Sequence, residues 1–190
     1  MFESTTPVAL SGSPVGQAPT RCAAVVGAQL RSLLLMPIPD FVVELRRHIG
    51  KAELWMPGVT AVVRRGEEVL LVRRSDSGEW APVTGIVDPG EEPALCAARE
   101  VLEETGVVAS VDRLASTSVM RDVVHANGDR AAYLDLCFAC SWLSGEARIG
   151  DDESAEVRWW SLDDLPPMKE ILRARIDAAT SDEQAARFIG

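Results

Sequence analysis

Residues 85–107 place three glutamates close together on a short predicted helix, and no other stretch constrains this chain as strongly. Pro93 suits the first turn of a helix, where a missing N–H costs little, and Gly106 suits a left-handed cap at its end. Helical periodicity then separates an apolar face from an acidic one. The apolar, buried face is predicted to hold Leu95, Ala98, Val101 and Leu102, and the opposite face Glu100, Glu103 and Glu104.

These three carboxylates repel one another, so something must compensate for their charge. Mg²⁺ does this well, because it binds one or two carboxylates together with waters and substrate phosphates. The common alternative for a run of glutamates is a solvated helix face. Arg99 precedes Glu103 by four residues and can pair with it along the helix.

The spacing favours the metal site over the solvated face. Gly85 is followed by five residues and Glu91, then by seven residues and the sequence Arg99-Glu100-Val101, one residue, Glu103-Glu104, one residue, Gly106-Val107. At every defined position this is similar to the 23-residue box of the Nudix hydrolase family. The resemblance implies an α/β fold, an α/β/α sandwich with a mixed β-sheet in which a loop–helix–loop holds the metal. It also implies hydrolysis of a nucleoside diphosphate linked to another group.

The same resemblance implies roles for the residues of the box. The expected metal ligands are Glu100, Glu103, Glu104 and the carbonyl of Gly85. Mg²⁺ is the implied cofactor, and Mn²⁺ can substitute. Arg99 is expected to orient Glu103, and Glu100 occupies a position that serves as the base in some members, whereas others recruit a base from a later loop. Glu91, Gly90 and Gly106 are expected to shape the loops.

One residue next to the box departs from the family. Members commonly carry a glycine at the position of Thr84, just ahead of Gly85. A side chain there bears on how closely the loop backbone approaches the metal.

Three candidate site residues lie outside the box. Many family members turn a later glutamate toward the metal, and Glu153 is the nearest candidate, with Asp152 and Glu156 behind it; a solvated acidic loop is the alternative. Arg73 and Arg74 alternate across a predicted strand, so at most one faces the cleft, and Arg73 is our candidate for a phosphate contact. His125 is a candidate substrate contact, with a loop histidine without a role as the alternative.

The remaining pattern organises the chain into four parts. Residues 1–36 are rich in Ser, Thr, Pro and Gly and are predicted to be a disordered or loosely attached extension. Residues 37–57 are predicted to hold a short N-terminal amphipathic helix, capped by Asp40, that buries Phe41, Val42, Leu45 and Ile49. Residues 58–180 are the predicted Nudix domain, and residues 181–190 a tail.

Within the domain, a hairpin is predicted at 59–65 and 69–74. Residues 108–119 are predicted to form a strand pair or one long bent strand, and residues 121–130 a loop. Strands follow at 131–142 and 157–160, and a final helix at 168–179.

Composition excludes several classes of partner. A net charge of −10 and a pI near 4.7 argue against a nucleic-acid or anionic-membrane surface. The apolar stretch 21–36 is too short and polar to span a bilayer, and it lacks the preceding positive charge of a signal peptide. Reduced thiols in a cytoplasmic protein are therefore expected at Cys22, Cys96, Cys137 and Cys140.

The substrate is less constrained than the chemistry. The chain resembles the short MutT-like members, so a nucleoside triphosphate or modified nucleotide is our first choice. ADP-ribose or a nucleotide sugar is the alternative, although Val123 stands where the ADP-ribose subgroup typically shows a proline. A catalytically inactive nucleotide-binding module of the same fold and an isoprenoid diphosphate isomerase are the rivals. The helix at 41–49 is a candidate interface for a homodimer.

Overall fold

The structure, a computed structural model, describes residues 39–125 and 127–188. The extension 1–36 and Cys22 therefore lie outside the described residues. Helices α1, α2 and α3 span Asp40–Ile49, Pro93–Thr105 and Glu170–Thr180. Strands β1 to β7 span Leu54–Arg65, Glu68–Arg74, Trp80–Ala81, Val83–Ile86, Val108–Val124, Arg130–Ser144 and Ser154–Ser161. Across these ranges, no helix is both long enough and apolar enough to cross a membrane.

Strand β1 organises a mixed sheet. It pairs in parallel with β6 along almost its whole length. Two strands share its other edge: β4 pairs antiparallel with the middle of β1, at residues 58–61, and β2 pairs antiparallel with its end. The strand order is β3-β2-β1-β6-β5, with β4 on β1 and β7 on β2. The predicted β1–β2 hairpin is confirmed. Along the same edge of β1, the partner strand changes from β4 to β2.

Helices cover both faces of this sheet. Odd-numbered residues of β1, such as Val59 and Val63, pack in one cluster with Val101 of α2. Val62 points to the opposite face and packs in a second cluster with Ile176 of α3, as the alternation of side chains along a strand requires. The predicted α/β/α sandwich is thus confirmed.

The predicted buried face of α2 is only partly right: Val101 is buried as expected, but Ala98 and Leu102 are only partly buried. Leu95 is 60% exposed, and the buried residues are Cys96, Ala97, Glu100, Val101, Glu104 and Thr105. Small side chains at Cys96 and Ala97 face the sheet, so the helix turns two glutamates toward the protein. A prediction from helical periodicity assumes that the apolar residues form the buried face. It therefore cannot anticipate that two glutamates of this helix are buried.

Helix α1 is present but differs from the prediction in two respects. It begins at Asp40 with Pro39 in the cap position and no side-chain cap, so the predicted cap by Asp40 is wrong. Val42 is buried against Met56 and Ala131, whereas Leu45 and Ile49 are 41% and 39% exposed. Met56 shares the parity of Val62 along β1, so α1 lies on the same face of the sheet as α3.

The β5–β6 pair is longer than predicted. Residues 108–124 form one strand with several register shifts, rather than a strand pair. Because β5 runs to Val124 and β6 begins at Arg130, the predicted loop at 121–130 shortens to the turn between them. The pairing across two long strands stabilises residues whose local sequence signals a turn.

Candidate active site

Arg99 joins the loop before α2 to the acidic side of the helix. Its Nε and Nη2 atoms donate to the two carboxylate oxygens of Glu91 at 2.9 and 3.0 Å. Its Nη1 atom donates to Glu100 Oε1 and to Glu103 Oε2, each at 2.9 Å. The predicted Arg99–Glu103 pair is thus present in the structure, and Glu91 takes the other side of the guanidinium. One arginine orients three carboxylates.

Gly85 lies directly against Glu100. A Cβ atom on Gly85 would overlap the Cγ, Cδ and Oε1 atoms of Glu100, and the Glu100 side chain is buried. Strand β4 brings this glycine into place by pairing with Val59 of β1. The absence of a side chain at Gly85 therefore lets a carboxylate and a backbone strand share one small space.

Gly85→Ala is expected to lower the free energy of unfolding by about 1–3 kcal/mol, because overpacking forces neighbours out of position. It should also lower activity by displacing Glu100. Gly58→Ala is the matched control, since a Cβ there would stand at ordinary contact distances of 3.4 and 3.6 Å from its neighbours. Urea unfolding measures both variants, and equal losses of stability would contradict the expected specific overlap.

The loop between β6 and β7 closes over the end of α2. The Arg148 N–H donates to the Thr105 carbonyl at 2.9 Å, and the Gly150 N–H donates to the Glu104 carbonyl at 2.8 Å. On its other side, the Ser75 hydroxyl donates to the Asp152 carbonyl at 2.8 Å, and the Ser75 N–H donates to the Glu153 carbonyl at 2.8 Å. The loop is thereby fixed from both the helix and the end of β2, with its acidic residues near Glu104.

Burial and mutual repulsion raise the pKa values of these carboxyl groups. Burial raises the pKa of Glu100 to about 7, although Arg99 opposes the shift. Burial, then the charges of Glu100, Asp151 and Glu153, raise the pKa of Glu104 well above its usual range. Burial also raises the pKa of Glu153. Ionising these carboxyl groups is therefore costly unless a further positive charge lies beside them.

A divalent cation fits this donor set. Glu104 is only 5% exposed, and the ion pairs of Arg99 go to Glu91, Glu100 and Glu103. Carboxylates that are buried and repel one another suit a hard cation with oxygen ligands. In ranges 39–125 and 127–188, no three acidic, Cys or His side chains converge closely enough to hold a metal ion, so the chemistry of these donors fits a cation and their side chains must move together to bind it.

The free energy of unfolding of the metal-free protein is expected to fall as pH rises from 5 to 8. An unfolded glutamate has a pKa of about 4.3, whereas burial raises the pKa of Glu100 to about 7 in the folded state. Between these values the folded state binds more protons, so stability decreases with pH. The decrease is up to about 3 kcal/mol.

Urea unfolding in a chelator across this pH range measures the decrease. Glu100→Gln is the control, because it removes one of the titrating groups and should lessen the decrease, whereas the raised pKa of Glu104 leaves part of it in place. Stability that rises with pH in the wild type, or identical profiles for the two proteins, would contradict the expectation.

The candidates outside the box lie at different distances from the acidic residues. Arg73 Nη1 is 3.8 Å from Glu156 Oε2 and half-exposed. Arg74, in contrast, acts electrostatically on Glu104 and Glu153. His125 lies in the β5–β6 turn, where its Nε2 atom is 3.0 Å from the Tyr133 hydroxyl.

Sequence reasoning missed the contributions of Arg74, Ser75 and Asp151. Arg74 was visible as one of two alternating arginines, but the bulge between Arg73 and Arg74 was not. Asp151 was visible as part of an acidic loop. Nothing in the local pattern of Ser75 indicates its bonds to that loop, because they join residues far apart in sequence. Gly90 and Gly106 take positive φ values of 86° and 68°, as turn and cap positions require.

A family model described as the NUDIX domain matches residues 54–180. The chain belongs to the Nudix family. The Nudix hydrolases are enzymes that generally use divalent metal ions, in agreement with the acidic donor set.

Several Nudix relatives are similar to this chain. An NAD-capped RNA hydrolase, NudC, of Pseudomonas aeruginosa is 36% identical over a match of 127 residues. The match covers 64% of this chain and 42% of that relative. The chain thus covers less than half the length of this relative. A solved MutT Nudix hydrolase from Burkholderia pseudomallei is 27% identical, with a TM-score of 0.53 over 66% of this chain and 98% of that one. An ADP-ribose pyrophosphatase from Streptococcus suis is 26% identical, with a TM-score of 0.54 over 70% and 98%.

Proposed function

We propose that this Nudix chain is a Mg²⁺-dependent hydrolase that cleaves a phosphoanhydride bond in a nucleoside diphosphate linked to another group. The observation that carries the proposal is the pair of buried carboxylates, Glu100 and Glu104, whose pKa values are raised by burial and by neighbouring acids. Such perturbed carboxyl groups are typical of functional sites. They occur here within a complete family box.

Glu100, Glu103 and Glu104 would hold the cation, with the Gly85 carbonyl and Glu153 beside them. A bound Mg²⁺ supplies neutralisation of phosphate charge and a lower pKa for the attacking water. Arg99 orients Glu100 and Glu103, and Glu91 fixes Arg99 in turn. The raised pKa of Glu100 also suits a proton acceptor near neutral pH, and its Oε2 atom is the one that Arg99 leaves free.

Arg74, rather than Arg73, is the residue that we place against the substrate phosphates. Asp76 holds its guanidinium through two bonds of 3.0 and 2.8 Å, which fixes its direction. Its charge acts on Glu104 and Glu153. A planar guanidinium suits phosphate recognition, and its position near the acidic residues supports a contact with the same substrate group that the cation binds.

Arg74→Met is expected to lower kcat/KM by about 10- to 100-fold, the cost of losing a hydrogen bond to a charged group. Arg73→Met is the matched comparison, because Arg73 pairs with Glu156 at the surface, and it should change kcat/KM less than about twofold. Steady-state kinetics on one substrate distinguishes the two. A larger loss in Arg73→Met would restore Arg73 as the phosphate contact.

A nucleoside triphosphate or modified nucleotide remains our first choice of substrate. The second choice is a dinucleotide or ADP-ribose, and the relatives favour it: one is an NAD-capped RNA hydrolase and another an ADP-ribose pyrophosphatase. The net charge of −10 disfavours a long RNA as the bound group. Both choices contain the same phosphoanhydride next to a nucleoside.

A Mg²⁺-dependent product screen tests the proposal. Nucleoside triphosphates, ADP-ribose, NAD, dinucleoside polyphosphates and nucleotide sugars are incubated with the full chain, and nucleotide products are separated by chromatography. Hydrolysis of one class that disappears on chelation supports the hydrolase and names its substrate. Folded protein that binds nucleotides but releases no product would favour the inactive binding module.

Two properties of the assembled protein belong to the same proposal. The exposed apolar residues of α1, Val43, Leu45 and Ile49, support a homodimer, which sedimentation measures directly. The buried, unbridged thiols of Cys96, Cys137 and Cys140 support a cytoplasmic location.

A further inference from the structure

Helix α1 precedes the family domain and packs on the face of the sheet opposite α2, against the strand that carries Gly85. The family model begins at residue 54, whereas α1 spans Asp40–Ile49. Phe41 and Val42 pack with Met56, Ile86 and Tyr133. Ile86 directly follows Gly85 on β4, so the helix covers the sheet face next to the strand that carries the site glycine.

The end of α1 is fixed to the turn between β5 and β6. Arg46 Nη2 donates to the Arg130 carbonyl at 2.6 Å, and Arg46 Nε lies 3.5 Å from Asp129 Oδ2. The Arg46 side chain is only 13% exposed. Lys51 Nζ donates to the Asn127 carbonyl at 2.9 Å. These bonds span more than 75 residues of sequence and hold helix and turn as one unit.

The Tyr133 ring packs against α1 and also borders the β1–β4 pair beside Gly85. Its Cδ1 atom is 3.6 Å from the point where a Cβ would stand on Gly58, and the Gly85 carbonyl oxygen is 3.4 Å from the same point. On its outer side, the Tyr133 hydroxyl is 3.0 Å from His125 Nε2. The ring is half-buried and His125 is exposed. The Tyr133 ring and the carbonyl of the site glycine thus both border the space that a side chain on Gly58 would fill, and the hydroxyl end of the ring meets the exposed His125.

We propose that α1 and the β5–β6 turn form one wall of the substrate site, on which Tyr133, held by His125, contacts the base of a nucleotide. Aromatic side chains bind bases by stacking, with little dependence on which base is present. The diphosphate then lies toward Glu104 and Arg74, and the base on the opposite side of Gly85. This inference rests on the proposed function for the class of ligand, but binding tests it without turnover.

Tyr133→Leu tests the aromatic contact. Calorimetric titration compares the four nucleoside monophosphates with ribose 5-phosphate, which has the same phosphate and sugar but no base. Wild type should bind at least one nucleotide more tightly than ribose 5-phosphate. Tyr133→Leu should weaken that binding about tenfold and leave ribose 5-phosphate unchanged, whereas Tyr133→Phe, which keeps the ring but loses the hydroxyl that meets His125, should weaken it less and by the same factor as His125→Ala. His125→Ala, at an exposed position, should weaken nucleotide binding alone and decides the question if Tyr133→Leu does not fold.

Arg46→Met tests the wall as a positioning device. Loss of its bonds to the β5–β6 turn should weaken nucleotide binding about threefold through the cost of ordering the turn, with ribose 5-phosphate again unchanged. Arg47→Met is the matched control on the same helix, because Arg47 is 70% exposed and pairs with Glu44 one turn away, and it should bind as wild type does.

The inference is overturned if wild type binds no nucleotide better than ribose 5-phosphate, or if Tyr133→Leu weakens both ligands equally. It is also overturned if the folded variant, Tyr133→Leu or in its place His125→Ala, keeps the wild-type preference. Base-dependent binding without any hydrolysis would refute the proposed enzyme and leave this wall in place. Hydrolysis with an unchanged KM in Tyr133→Leu would refute the wall and leave the enzyme in place.

Discussion

Glu104→Gln is expected to reduce kcat on the order of 10³-fold or more, a larger loss of activity than that expected for Arg74→Met. Glu104 is 5% exposed, and its pKa is raised by burial and by repulsion from Glu100, Asp151 and Glu153. A glutamine keeps the shape but supplies no negative charge for a cation. The loss should fall on kcat and on the affinity for Mg²⁺ together.

Stability separates this effect from a folding defect. The free energy of unfolding in the metal-free protein should stay the same or rise in Glu104→Gln, because a neutral amide is cheaper to bury than a charge. Glu92→Gln is the matched control, since Glu92 is exposed just ahead of the helix and its activity should stay near wild type. An active Glu104→Gln enzyme would remove Glu104 from the metal site.

Arg175→Met is expected to lower the free energy of unfolding by about 3–5 kcal/mol, the cost of leaving a buried charge without its partner. Arg175 and Asp135 are 2% and 4% exposed. Arg175 Nε lies 3.1 Å from Asp135 Oδ2, an ion pair whose two atoms lack hydrogen-bond geometry. Arg175 Nη1 and Nη2 each donate at 3.2 Å, to the hydroxyls of Thr60 and Ser118.

The network makes the effect specific. The Thr60 hydroxyl donates to Asp135 Oδ1 at 2.7 Å, so Asp135 keeps one partner when Arg175 is lost, but its charge is no longer balanced. Adding Asp135→Asn to Arg175→Met should recover part of the loss. Arg173→Met, exposed on the same helix, should change stability by less than about 0.5 kcal/mol. Urea unfolding measures all three, and a similar effect of the two arginine changes would show that the buried pair contributes little.

The sequence was sufficient for features that depend on short-range pattern. The end of the box helix at Gly106, the β1–β2 hairpin and the Arg99–Glu103 pair all follow from residues within a few positions of each other. The burial of Glu100 and Glu104 does not follow from the local sequence, because it depends on which side of α2 packs against the sheet.

Long-range contacts account for the rest. The Arg175 network joins residues more than 50 positions apart, and no local signal pairs them. The length of β5 follows from its partner β6 rather than from its own composition. The choice of Arg74 over Arg73 as the proposed phosphate contact depends on a bulge in the pairing of β2 with β7.

The loop between β6 and β7 makes the proposed catalytic centre a junction between separate parts of the chain. The Gly150 amide bonds to the Glu104 carbonyl, and Ser75 bonds to the backbone of the same loop. These bonds hold Glu153 near the glutamates of α2. Fraying of the last turn of α2 would therefore remove an acid from another loop at the same moment. On heating, such a site is expected to fail as a unit and before the core, so activity reports the integrity of this junction rather than that of the whole fold.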